Sequence, residues 1–236
     1  MLTLGPVETT RSAAALAILG GTGDQGFALA LRFVAAGRSV VIGSRVPERA
    51  LSAAAEIRAL VPNASINGCE NPQACEQAGI VILSVPFEHT VSTLKAIHQT
   101  LVPGQIVISM GVPLASAIGD GALRMLGVWQ GSCAELVASL TPEGVHVISA
   151  FQNVSAHRLR ALERPVECDV VVSGAPVEAR RTVIDLCKLI PGLRGVDGGP
   201  LANARIVESI TALLIGLNVR YQVAEGIGLR FTGMSD

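Results

Sequence analysis

The segment Gly21-Thr22-Gly23-Asp24-Gln25-Gly26 is a GxGxxG, a spacing suited to gripping the pyrophosphate of a dinucleotide. Gly21 permits a tight turn, Gly23 lets the backbone approach the phosphates, and Gly26 lets a helix pack close to a strand. The N-terminus of that helix supplies unpaired N–H groups and a positive dipole that attract an anion. Glycine also makes ordinary turns, so this reading needs a strand before the loop and a helix after it. Both are present: the apolar run 15–19 precedes the loop, and an amphipathic stretch over 25–36 follows and stops at Gly37, which favours left-handed helix-end geometry. The Thr22 hydroxyl either reaches an adenosine phosphate or stabilises the turn.

A second group decides which dinucleotide. Sites for NAD place Asp or Glu about 20 residues past the first glycine, on the ribose 2′-hydroxyl, but here the second apolar run ends in Gly43-Ser44-Arg45. No carboxylate stands there to repel a 2′-phosphate. Ser44 offers a hydrogen bond, Arg45 a bidentate charge-assisted contact, and Arg49 another cation one helical turn on. The pattern is that of an NADP site; the competing reading makes both arginines solvated surface charges.

Ser84-Val85-Pro86 ends the apolar run 80–85, and Ala150-Phe151-Gln152-Asn153 lies at the end of the run 145–151. Ligands of open α/β sheets lie beyond the carboxyl ends of strands, so Ser84, Val85, Pro86, Ala150 and Gln152 are candidates for the same cleft; a simple strand terminator is the other reading of Pro86. His89 reads as a helix-surface residue, His157 as solvated beside Arg158, and Lys95 and Lys188 as helix exteriors. No side chain is assigned to acid–base catalysis and none to a metal. Cys69, Cys75, Cys133, Cys168 and Cys187 are scattered without paired spacing, as expected of reduced, mostly buried thiols.

The elements that must position these residues follow from periodicity. Strands are expected at 15–19, 39–42, 65–68, 80–85, 106–110, 145–151, 169–174, 193–196 and 228–232, and helices at 25–36, 47–60, 71–78, 87–101, 156–162, 177–190 and 201–223. Alternation of this kind is the signature of βαβ units. The fold class is α/β: a Rossmann doubly wound, mostly parallel sheet with a small C-terminal α/β domain. The division expected is a flexible leader over 1–14, an NADP-binding domain over 15–150, and a smaller domain over 151–236 that completes the cleft. Residues 111–130 break the pattern and are either a loop over the site or the least ordered surface. The last long helix carries Ile206, Val207, Ile210, Leu213, Leu214, Leu217 and Val219 on more than one face. Such a helix is buried in a core or across a subunit interface, and the expectation is a homodimer.

With 236 residues, half of them hydrophobic, the chain has material for one substantial core plus a small appendage. Its net charge of −1 and lack of a basic block argue against nucleic acid and membrane surfaces as partners. No uninterrupted apolar run reaches about 18 residues, and a soluble, cytoplasmic protein acting on small molecules is expected.

The runs GGTGDQGFALALRF, VVIGSR, VILSVPFEHT, GSCAEL, SAFQNVSA and VDGGPLANARIVESIT occur in the order found in the NADPH-dependent reductases of the deazaflavin coenzyme F420, a family this chain resembles from about residue 17 to its end. The resemblance implies hydride transfer between NADP(H) and F420 bound face to face in a cleft. It places Thr22, Ser44, Arg45 and Arg49 on the 2′-phosphate, with Lys in some members where Arg49 stands. It places Gly23, Asp24, Gln25 and Gly26 on the pyrophosphate, and residues 84–86 against the nicotinamide and deazaflavin. Archaeal members carry His near Gln152, so a role specific to histidine does not transfer. Ring-to-ring hydride transfer needs stacking and exclusion of water more than an acid–base pair, whereas an alcohol or imine substrate would call for a proton donor. Reduction of a flavin, imine or hydroxy acid, and non-enzymatic NADPH binding, are the competing readings.

Overall fold

The computed structural model describes residues 12–234. Its strands are β1 (Ser12–Leu19), β2 (Val40–Ser44), β3 (Ile66–Glu70), β4 (Ala78–Leu83), β5 (Ile106–Ser109), β6 (His146–Ser149), β7 (Cys168–Gly174) and β8 (Leu193–Asp197). They form one sheet in the order β3-β2-β1-β4-β5-β6-β7-β8. Every pairing is parallel except β6 with β7. Strands β1, β2 and β4 to β7 read as near-continuous apolar runs because both faces are covered: Leu16, Ile18, Ile42, Ile82 and Ile108 enter one core, and their neighbours Ala17, Leu19, Val41, Val81 and Val107 the other.

The helices are α1 (Asp24–Ala35), α2 (Pro47–Leu60), α3 (Asn71–Gln77), α4 (Thr90–Ile97), α5 (Cys133–Leu140), α6 (Ala156–Arg160), α7 (Val177–Lys188) and α8 (Ala204–Tyr221). Chain order reverses around β1, which lies between β2 and β4, and so opens a crevice at their carboxyl ends. The expected boundary at 150/151 falls between two adjacent strands of this one sheet.

Several expectations are corrected. Ser12, Ala13 and Ala14, placed in the leader, extend β1; the rest of the leader lies outside the described residues. The helix expected over 87–101 is a 3-10 turn, Phe87–His89, followed by α4. The expected strand 228–232 makes no ladder; the Leu229 carbonyl accepts from the Asp169 N–H at 2.7 Å, and the Asp169 carboxylate accepts from the Phe231 N–H at 2.7 Å. A side chain there takes the place of a partner strand. Helix α5 was not anticipated, although Ser132 followed three residues on by Glu135 is a helix-start signal: the Ser132 hydroxyl caps α5 by accepting from the Glu135 N–H at 3.0 Å and donates to the Glu135 carboxylate at 2.8 Å.

Among the described residues, the stretch Leu201–Tyr221 has the length and hydropathy to cross a membrane, but it is docked through polar groups. Glu208 accepts from the Cys133 and Ala134 N–H groups at 2.8 and 3.0 Å, and Arg205 pairs with Glu135 at 2.7 Å. Its outer face leaves Ile206, Leu213 and Val219 at 61–69% exposure.

Candidate functional site

The glycine loop joins β1 to α1. Gly20, not Gly21, takes the left-handed turn, with φ +80°, and a Cβ there would run into the Ser84 carbonyl. Gly21 serves close packing, since a Cβ would stand 2.9 Å from Ile42 Cγ2. Gly26 does what its spacing predicts: a Cβ would meet the Gly20 carbonyl oxygen at 2.6 Å, so α1 can sit against β1 only with glycine there. Gly23 precedes α1 with no side-chain cap, and the nearest atom to a Cβ there is 3.5 Å away. The first turn of α1 therefore presents N–H groups to an uncrowded space.

Beside this loop a cleft of about 320 Å³ is lined by Thr22, Gly23, Ser44, Arg45 and Arg49, with no carboxylate in its wall. Ser44 is buried; its Oγ accepts from the Val46 N–H at 3.1 Å, which leaves the hydroxyl proton to donate elsewhere. Arg45 and Arg49 are exposed and form no ion pair among the described residues. Two uncommitted guanidinium groups and a hydroxyl converge without an opposing negative charge, a donor set for a phosphate.

A second cleft, about 330 Å³, shares Gly23, Ser84, Val85 and Pro86 with the first and continues past Asp24 and Gln25 to Phe87, Met110, Gly111, Val112, Leu114, Phe151, Gln152 and Thr211. Gly111, Val112 and Leu114, from the segment read two ways above, wall this cleft. The segment is held by the Leu126 N–H on the Pro113 carbonyl at 2.7 Å and the Ala115 N–H on the Arg124 carbonyl at 2.8 Å. Phe151 has φ +69°, an uncommon conformation for a bulky residue; it packs edge-on to Phe33 with centroids 6.3 Å apart. Gln152 donates to the Ser149 hydroxyl, and its Oε1 has no partner. Ala150, a candidate from sequence, is fully buried in the core and lines neither cleft.

The sequence reading missed Asn71, His89 and Thr93, which line the first cleft; His89 is no plain surface residue. It also missed Arg32. That guanidinium, 4% exposed, donates to the carbonyls of Leu159 (2.7 Å), Ala161 (2.5 Å) and Arg164 (2.9 Å) and so ties α1 to the turn after α6. A charged residue inside the otherwise apolar FALALRFVA was the available signal. None of the five cysteines forms a disulfide and four are buried; burial pushes the Cys69, Cys133, Cys168 and Cys187 thiols up, Cys133 to about 12, so none of these four is poised as a nucleophile. A larger cavity of about 680 Å³ lies along β8, but its arginines are committed: Arg194 to Asp169 at 2.7 Å, Arg230 to Asp169 and Glu167.

Residues 15–113 match the family described as NADP oxidoreductase, coenzyme F420-dependent. The F420-dependent NADP reductase of Methanocaldococcus jannaschii is 47% identical over 93% of this chain and 98% of that protein. The F420-dependent NADP reductase of Methanothermobacter thermautotrophicus is 40% identical over 94% of this chain and 96% of that protein. The crystal structure of a candidate F420-dependent NADP reductase from Arthrobacter sp. FB24 covers 92% of this chain and 99% of its own, with TM-score 0.75 at 23% identity, a likeness of fold.

Proposed function

This chain belongs to the family of coenzyme F420-dependent NADP oxidoreductases, and from that premise we infer that it is an enzyme transferring a hydride between NADP(H) and coenzyme F420. The observation that carries the reading is the pair of joined clefts: one ends in uncommitted Arg45 and Arg49, the other is lined mostly by apolar side chains, and Gly23 with residues 84–86 is common to both.

The residues divide the work. Ser44, Arg45, Arg49 and Thr22 hold the 2′-phosphate, and the N–H groups at Gly23, Asp24, Gln25 and Gly26 hold the pyrophosphate. Ser84, Val85 and Pro86 seat the nicotinamide between the two clefts, and Met110, Val112, Leu114 and Phe151 exclude water from the deazaflavin face. Bound together, the two rings supply the hydride donor and acceptor, at a separation of about 3–3.5 Å. The protein's part is to align and dry them, and no acid–base side chain is required.

In this reading residues 15–150 carry NADP and residues 151–236 close the cleft. The exposed apolar face of α8, with Ile206 and Leu213, meets a second copy in a homodimer, and the enzyme works in the cytoplasm. Mixing the protein with NADPH and oxidised F420 tests the function: the deazaflavin's visible absorbance should bleach in step with NADPH oxidation. NADPH binding without bleaching would refute it.

A further inference from the structure

The pyrophosphate loop contains an electrostatic conflict. Asp24 is the first residue of α1, so its carboxylate sits at the helix end that must receive a pyrophosphate. It complements the helix dipole when nothing is bound and repels a second anion arriving there.

The remedy comes from 136 residues further along the chain. Arg160, the last residue of α6, places Nη2 3.1 Å from Asp24 Oδ1, and its guanidinium carbon stands 4.7 Å from the centre of the Phe27 ring. The segment that carries it is fixed against α1 at two further points: Gln25 Nε2 donates to the Val154 carbonyl at 2.9 Å, and Arg32 donates to the carbonyls of Arg158, Leu159 and Ala161. Asp24 and Gln25, adjacent residues of the loop, are thus both gripped from the second half of the chain.

We propose that Arg160 is a positioning residue for dinucleotide binding: its pairing with Asp24 cancels a negative charge at the mouth of the pyrophosphate site. This rests on the NADP reading of the cleft. A stabilising role is not what the geometry favours, because the Asp24 side chain is 88% exposed and that of Arg160 45%, and exposed pairs contribute little to folding. The conflict involves the pyrophosphate, which NADPH and NADH share, so the effect should not discriminate between them.

The test measures Kd for NADPH and for NADH at low salt in the wild type, Arg160→Ala, Arg160→Lys, Asp24→Asn and the double variant Asp24→Asn/Arg160→Ala. Arg160→Ala should weaken both dinucleotides alike, by about fivefold, and Arg160→Lys should stay near wild type. Removing the carboxylate should make the arginine dispensable, so the double variant should bind within about twofold of Asp24→Asn. Unchanged binding in Arg160→Ala would overturn the inference; so would a loss that persists in the double variant, which would assign Arg160 to packing on Phe27 or to direct phosphate contact. Either result leaves the NADP reading intact, whereas a wild-type protein that binds neither dinucleotide removes both.

Discussion

At one end of the cleft, Arg45 and Arg49 stand in solvent without a counter-charge, while at the other Met110, Val112, Leu114 and Phe151 present carbon. Of the polar groups at the apolar end, Thr211 donates to the Gln152 carbonyl at 3.2 Å and Gln152 Nε2 to Ser149, which leaves Gln152 Oε1 as an unpartnered acceptor. Charge left uncommitted in water costs little to hold and gains most when a phosphate arrives. A wall mostly of carbon with one open acceptor favours a flat ring that can offer it an N–H, and keeps water away from that ring. Affinity and cofactor choice should therefore reside at the cationic end, and turnover at the apolar end.

The largest effect should come from removing the cationic end outright. Arg45→Ala with Arg49→Ala should raise Kd for NADPH by at least about a hundredfold, at about 1.5–3 kcal/mol for each charged hydrogen bond lost, and leave NADH unmoved; equal losses for both dinucleotides in titration calorimetry would erase the contrast between the two ends. Next comes the junction. Gly26→Ala forces a methyl into the Gly20 carbonyl and should cost about 1–3 kcal/mol in urea unfolding, while weakening NADPH and NADH together. At the apolar end, Gln152→Leu should lower kcat/KM for F420 by about fivefold, the scale of one neutral hydrogen bond, with Kd for NADPH unchanged; a shift in NADPH affinity instead would show that the two ends are not separable.

Least effect on binding or turnover is expected from two buried carboxylates outside the cleft, whose contributions to stability depend on pH with opposite signs. Burial opposes ionisation of both. At Asp169, hydrogen bonds from Arg194, the Phe231 N–H and Arg230 overcome it and hold the carboxyl at about 2. Glu208 has only the Cys133 and Ala134 N–H groups for support, and burial pushes it up to about 7. The stability Asp169 contributes is present above its unfolded pKa of about 3.9 and lost as pH falls through about 2. That of Glu208 is full below about 4.3 and lost as pH rises through about 7. Unfolding free energies of the wild type should decline from about pH 5 to pH 7, and Glu208→Gln should flatten that slope; an unaltered slope would place its origin elsewhere.

Much of the fold was legible because its signals are local. Apolar runs marked six of the eight strands of the sheet, β1, β2 and β4 to β7, and Gly21, Gly23 and Gly26 located the turn from β1 to α1. The cationic end was legible for the same reason: Ser44, Arg45 and Arg49 lie within six consecutive residues. What escaped depends on contacts between distant segments. Arg32 looks misplaced until the carbonyls after α6 surround it. The last segment looks like a strand until Asp169 takes the bonds a neighbouring strand would have taken. Ala150 shares a strand end with Gln152, but faces the core, because Phe151 turns the backbone between them.

Direct passage of hydride between two rings held in adjoining clefts is the claim on which the rest depends, and an isotope tests it. With NADPH carrying deuterium at the transferring position of the nicotinamide, the label should appear on the reduced deazaflavin ring after a single turnover in ordinary water. Deuterium recovered in the solvent, or F420 that stays oxidised while NADPH is consumed, would contradict it.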